Sequence, residues 1–330
     1  MRWLRCANRA LRDVDRFQRR HVLFGFPYAV WRKYSDDGGA TLAALLTYYG
    51  FLSIFPLLLL AVALLTEVLA AQPALRHELI EELVPEWLRS DVEQALQELP
   101  PSGVPLLIGV IGLLWSGLGG IMATVTALNR IWAVPHRKRF GPVGRYGRVF
   151  LMLCLLFAGA VVAAGLAVFS SEVLHPTWVQ RLGSATGSCL VILVMYLMAH
   201  KVLTFRPLRI GQLWPGAVIG AGATTVLLDL AATALPALVA RLGPVYGSFA
   251  TVVGIFTLMY LISQVLVFSA EVSAVRAYRL APRGLGHAAP TAGDIRALTM
   301  RARTQERLRD ERVSVRFGPT EEPPVVTRQG

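Results

Sequence analysis

Apolar residues along this chain gather in six runs of about 20, the length that crosses the hydrocarbon core of a bilayer. The runs lie near 40–65, 104–127, 149–170, 184–203, 212–237 and 248–275. No charge interrupts the third between Val149 and Phe169. The fourth is short and ends at His200 and Lys201, and the fifth holds Asp229 and Pro236. This pattern predicts an all-α integral membrane protein whose six transmembrane helices fill a membrane domain at 34–279.

Two segments carry a different, amphipathic pattern. Within the loop at 67–103, Leu75, Leu79 and Leu83, then Leu88, Val92, Leu96 and Leu99, recur at helical spacing. They predict two short helices outside the membrane, broken around Pro85. At the start of the chain, Arg2, Arg5, Arg9, Arg12, Arg16 and Arg19 form one stripe on a helical wheel. Trp3, Ala7, Leu11, Val14 and Phe17 form another face. Residues 1–33 therefore read as a basic amphipathic segment, a helix lying on an anionic membrane surface. A docking helix for a partner protein or nucleic acid is the alternative. Phe24, Phe26, Tyr28 and Trp31 suit the headgroup zone. The first 20 residues hold no apolar core of a cleavable signal, so the first span is expected to act as an uncleaved anchor. Beyond the last span, 280–330 reads as a basic, largely disordered tail: a linker at 281–290, a charged helix at 294–312 and a disordered end from 319.

Composition agrees with the runs. Hydrophobic residues make up 54% and charged residues 16%, with mean hydropathy +0.51, whereas a soluble domain carries about 25% charged residues. The net charge of +12 would suit a nucleic-acid binder, but its distribution gives another reason. Lys and Arg before span one, between two and three, between four and five, and after six number 9, 6, 3 and 11. The alternate segments hold 2, 1 and 1. By the positive-inside rule both termini are expected in the cytoplasm. The basic rim attracts anionic lipid headgroups, and no specific nucleic acid is expected. The loop at 67–103 has eight acidic residues against Arg76 and Arg89, as an outer loop tolerates. Cys6, Cys154 and Cys189 fall at depths too different for a disulfide.

Ionisable groups inside spans need a reason, since each costs a few kcal/mol at a helix centre. Glu271 lies near the inner end of span six, where the helix dipole disfavours a carboxylate. Arg276, Arg279 or Arg130 are the cations expected to offset it. It reads either as a structural ion pair or as a proton- or substrate-linked group lining an inner vestibule. Asp229, some 15 residues beyond Trp214, belongs in the outer third of the bilayer. It reads as a hydrogen-bonded or interfacial acid, or as part of an outward-facing site. Span one carries Thr47, Tyr48, Tyr49, Ser53 and Pro56 on an otherwise apolar helix, and Pro56 is expected to leave the carbonyl of Leu52 without its helical partner and to bend the helix. Such breaks line transporter sites and also occur in purely structural helices. Gly109, Gly112, Gly117, Gly119 and Gly120 of span two would allow close helix contact.

Catalytic signals are lacking. The six histidines show no H-x-x-x-H or H-x-H spacing, and no P-loop, G-x-S-x-G or C-x-x-C occurs. No enzyme, metal or cofactor is expected.

The stretches LAALLTYYGFLSIFPLLLL (42–60), LLWSGLGGIMATVTALNRIWAV (113–134), WPGAVIGAG (214–222) and GPVYGSFATVVGIFTLMYLISQVLVFSAEVSA (243–274) together resemble the YihY/BrkB family of bacterial inner-membrane proteins. Order and spacing carry the resemblance. It implies six helices with both termini cytoplasmic. Positions matching the family pattern are Tyr48, Ser53, Pro56, Asn129, Arg130, Pro215, Gly216, Tyr246, Gly247 and Glu271. Where the family reads Gly-Ala-Glu, this chain reads Ser269-Ala270-Glu271, which argues against close packing at 269 and keeps the acid. A ribonuclease label has been attached to members, but the residues such an activity needs are missing here.

The expected function is a transporter, or a translocator of lipids or other envelope components, in the cytoplasmic membrane. A lipid or amphipathic molecule is the expected substrate. The alternative is a non-catalytic scaffold for an envelope-assembly or lipid-handling complex, with an envelope protein as partner.

Overall fold

The structure, a computed structural model, describes residues 22–70, 104–136, 141–173, 177–284, 290–308 and 311–316. The arginine stripe at 2–19 with Trp3, Leu11 and Val14, the loop helices within 71–103, and the terminal stretch from 319 lie outside the described residues.

Eight helices, and no strand, occur among the described residues: α1 (Val22–Asp36), α2 (Gly39–Ala70), α3 (Val104–Ile131), α4 (Pro142–Val173), α5 (Thr177–Leu203), α6 (Ile210–Tyr246), α7 (Ser248–Ala277) and α8 (Ala292–Thr304). Six of them, α2 to α7, contain windows long and apolar enough to span a membrane: Gly39–Leu59, Leu107–Ile131, Gly144–Ala163, Ala185–Leu203, Ile210–Ala237 and Phe249–Ala277. The apolar runs of the sequence thus become these six helices. Helix α5 extends well beyond the short fourth run, because its first turns are too polar to register as a span.

The spans form a closed ring. Each packs against the next in chain order, and α7 returns to α2; α3 also touches α5 and α7. Small residues set the approach of neighbours. A Cβ on Gly112 would press on the Pro56 ring, and one on Gly119 would overlap the Tyr49 ring, so these glycines admit α2 against α3. Gly216 and Gly220 of α6 face the backbone and side chain of Ser269 on α7. Ser269 is buried and turns its hydroxyl to the Leu266 carbonyl of its own helix, at 2.8 Å. Close packing therefore survives the serine, contrary to the sequence expectation, because the glycines lie on the facing helix. Gly247 joins α6 to α7 at φ 56°, a left-handed conformation that a side chain disfavours.

Burial is uneven along the bundle axis. The largest fully buried side chains, among them Trp132, Ile131, Leu203, Leu213 and Val275, gather at the end where α3, α5 and α7 finish. This is the end rich in Lys and Arg, and it is called the basic end below. Toward the other end Ile111, Phe157, Val161, Leu230 and Phe249 point outward. Such an apolar exterior requires lipid rather than water around it.

Helix α1 lies outside the spans but packs on α7, so the sequence boundary at 33/34 runs through a helix of the bundle. The segment read as a linker is likewise packed in its first part. Ala281 packs against the buried cluster of Ala29, Val30, Val275 and Leu280, which Ala297 and Met300 of α8 also cover, and Arg283 is buried. The charged helix expected at 294–312 runs from Ala292 to Thr304. Thr291 and Asp294 form a reciprocal capping box at its start.

Candidate functional site

Lys33 ends α1 facing inward, and its exposure is 6%. Its ammonium donates to Glu271 Oε2 at 2.8 Å, to Asp37 Oδ2 at 2.5 Å and to the Ile131 carbonyl at 2.9 Å. All three of its donors are used. Burial works against the charged ammonium, but the two carboxylates outweigh it and hold the Lys33 pKa above the ordinary 10.5. Glu271 is wholly buried. Its second oxygen, Oε1, accepts no hydrogen bond among the described residues.

The partner of Glu271 is thus Lys33 and none of the three arginines expected from sequence. Arg276 lies over the Trp214 ring at 5.2 Å, and Arg279 is exposed in a turn at φ 51°. Arg130 faces a neighbouring cavity. The physical reason is that α1 doubles back onto α7 and delivers a lysine from before the first span.

A separate set of polar groups lies further along α7, with Phe268 stacked on Tyr34 between the two. Tyr34, next to Lys33, donates its hydroxyl proton to Gln264 Oε1. Gln264 in turn donates to the Tyr260 hydroxyl at 2.6 Å. Tyr260, Gln264 and Glu271 share one helix face, and from 260 to 271 that face runs about 16 Å. With both carboxyls ionised, the Lys33–Asp37–Glu271 cluster carries one net negative charge. One bound proton makes it neutral.

Beside the cluster opens a cavity of about 340 Å³. Lys33, Asp36 and Asp37 form one wall, Arg130 and His136 another, and Arg283 with Arg301 and Gln305 close it from the α8 side. Arg283 is buried and donates to Asp36 and to Asp294, each at 2.7 Å. Asp294 also accepts from the backbone N–H groups of Thr291 and Gly284, both at 2.9 Å. Burial tends to raise the Asp294 pKa, but these donors and the Arg283 charge together hold it below the usual carboxylate value.

Residues 30–292 match the family described as Virulence factor BrkB. The chain belongs to that family. It is similar to the inner membrane protein YhjD of Escherichia coli (strain K12), with 24% identity over 84% of this chain and 88% of YhjD. It is also similar to YfkH of Bacillus subtilis (strain 168), whose name calls it ribonuclease-like, with 25% identity over 74% of this chain and 93% of YfkH. No solved structure matches. The BrkB match takes in Lys33, Asp37, Glu271 and Arg283, and it ends at the first residue of α8.

Most of the other candidates of this BrkB-family chain hold helices together. Asn129 is fully buried. Its amide donates to the carbonyls of Val125 at 2.7 Å and Leu203 at 2.9 Å, while its oxygen accepts the Phe205 N–H at 2.8 Å. It thereby ties the open carbonyl end of α5 to α3. Pro215 and Gly216 sit in the α6–α7 contact, where Ser273 donates to the Leu213 carbonyl at 3.0 Å. Pro56 lies within a continuous α2 against Gly112, and Ser53 donates to the Tyr49 carbonyl at 2.8 Å. Tyr48 is 57% exposed beside Tyr49. Tyr246 ends α6 and Gly247 makes the turn after it. Asp229 is exposed on α6, about 28 Å along the helix from its start at the basic end. The structure does not bring it to Glu271.

A second buried polar group escaped the sequence reading. His200 Nδ1 lies 2.7 Å from the Tyr196 carbonyl, so it carries the proton, and His200 Nε2 has no partner among the described residues. Its ring stands edge-on to Trp132. Trp132 in turn packs on Tyr278, whose hydroxyl donates to the Trp132 carbonyl at 2.8 Å.

Proposed function

We propose that this protein is a transporter or lipid translocator of the cytoplasmic membrane, with both chain ends on the cytoplasmic side and the Lys33–Asp37–Glu271 cluster as its working centre. One observation carries the reading. A fully buried span carboxylate shares an ammonium with a second carboxylate, has one oxygen without a partner among the described residues, and adjoins a charged cavity at the basic end. Such groups mark substrate or proton pathways in membrane proteins. The hydrogen-bonded Tyr34, Gln264 and Tyr260 add polar groups on the same face of α7, deeper in the bundle. The orientation rests on 29 Lys and Arg in the segments at the basic end and in the chain ends, against 4 in the alternate segments.

The test is reconstitution into anionic liposomes holding a fluorescent phospholipid, with a quencher added outside. Quenching beyond the outer half of the label is expected for the wild type and not for empty vesicles. Glu271→Gln, folded but inactive, locates the centre, while Asp229→Asn is expected to stay active. Wild type equal to empty vesicles sinks lipid translocation and favours the scaffold reading. Purified protein is expected to leave RNA intact, despite the name of YfkH.

A further inference from the structure

The cavity at the basic end holds four Lys and Arg side chains and two carboxylates, but these charges are not equivalent. Lys33 is committed to Glu271 and Asp37. Arg283 is committed to Asp36 and Asp294. Both lining carboxylates are therefore engaged, but Lys33 and Arg283 each serve a second, buried acid, so these four carboxylates outnumber the two cations by two. Arg130 and Arg301 remain, exposed and without an ion pair among the described residues. The cavity is thus lined by two guanidinium groups that have no ion pair among the described residues and whose charge offsets that surplus.

The geometry points to this cavity as a binding site for a phosphate-bearing anion held between Arg130 and Arg301. It deepens the transport reading by naming the substrate class, and it rests on that reading for the role of the bound molecule. A guanidinium presents a planar fork of donors that matches phosphate oxygens two at a time. A volume of about 340 Å³ accepts a phosphate with a small ester group and lies at the lower end of ordinary ligand pockets.

The walls are built rather than incidental. Helix α8 is tied at its start by Arg283 to Asp294 and at its end by His136 Nδ1 to the Thr304 carbonyl, at 2.6 Å. These two ties bracket the turn of α8 that carries Arg301 to the cavity wall. On the other side, Gly38 turns the chain at φ 66°, and a Cβ there would sit 3.4 Å from Arg130 Nη2. The Arg130 head thus lies beside the Gly38 turn, at ordinary van der Waals distance. Arg130 also occupies the last turn of a span, level with the bilayer surface where lipid phosphates lie. The same chemistry would take a soluble phosphate ester.

The experiment measures binding to the full chain in non-ionic detergent by calorimetry at low salt. The probes are inorganic phosphate, sn-glycerol 3-phosphate and dihexanoyl phosphatidic acid. Saturable binding of at least one is expected. The pair Arg130→Gln with Arg301→Gln should weaken it at least about tenfold, and Arg130→Lys should weaken it less. Arg296→Gln, on α8 but outside the cavity, should leave it unchanged. Tighter binding of the phosphatidic acid than of glycerol 3-phosphate assigns the site to a headgroup, and the reverse order to a soluble ester. Wild type that binds none of the probes, or binds them as weakly as the double variant, overturns the proposal. Size-exclusion profiles establish that the variants are folded, as expected for two exposed side chains. Binding in a protein inert in liposomes upholds the site and removes the lipid-translocation reading; translocation without binding does the opposite.

Discussion

Lys33 and Glu271 stand 238 residues apart in the chain and meet at 2.8 Å in the seam between α1 and α7. Together they join the segment before the first span to the last span. Taking two charges out of water costs several kcal/mol per ion, and their attraction repays it only when both partners are present. The pair is accordingly a strong determinant of register and a weak source of net stability.

Removing one partner should show this asymmetry. Lys33→Met leaves two carboxylates facing each other and should cost about 3–5 kcal/mol. Adding Glu271→Gln to it should restore a large part of the loss. Thermal unfolding of the purified variants in detergent gives the cycle; equal and additive losses would contradict the pairing.

Asn129 is expected to behave as a bracket. Asn129→Ala strips partners from the Leu203 carbonyl and the Phe205 N–H, each costing about 1–3 kcal/mol when left buried. Stability should fall, while the activity per folded molecule in the liposome assay stays near wild type. Loss of activity in fully stable protein would return Asn129 to the working site.

The α6–α7 contact gives a comparison within one helix. Gly216→Ala drives a methyl into the Ser269 carbonyl and the Ser273 hydroxyl, and overpacking of this kind costs about 1–3 kcal/mol. Gly222→Ala meets nothing within 4 Å and should be neutral or slightly stabilising. Melting temperatures of the two variants side by side decide the matter.

The docking of α8 should be acid-sensitive. Asp294 is held below its ordinary 3.8 by burial outweighed by donors from Thr291 and Gly284 and by Arg283. A depressed folded value means that its contribution is complete above 3.8 and is lost as pH falls through the lower folded value. Hydrogen exchange across 292–304 should therefore stay slow at neutral pH and quicken only below about pH 4. Asp294→Asn should show the fast exchange at neutral pH.

The six spans were legible because an apolar run is a one-dimensional signal. Glu271 was legible for a related reason, as an acid within such a run. Its partner was not. Lys33 follows Trp31 and Arg32 in a short polar stretch, and only the fold-back of α1 distinguishes it from Arg130 or Arg276. Asn129 was visible as a polar residue at a span end, but its role depends on where α5 stops. His200 looked like a boundary residue paired with Lys201, yet helix rotation buries the first and exposes the second. Arg283 was hidden in a stretch rich in glycine and proline. A readable sign stood nearby: Thr291 and Asp294 have capping-box spacing, and a box needs a fixed helix start.

The Lys33–Glu271 contact also bears on how the last span enters the membrane. Ribosomes release Lys33 long before Glu271, so the cation stands at the membrane face when the sixth span arrives with its acid. A lone carboxylate in a span costs a few kcal/mol on insertion, and a waiting ammonium removes most of the reason for that cost. A chain without α1 would leave Glu271 with no ammonium, and the last span would then bear the cost of an unpaired acid in the membrane.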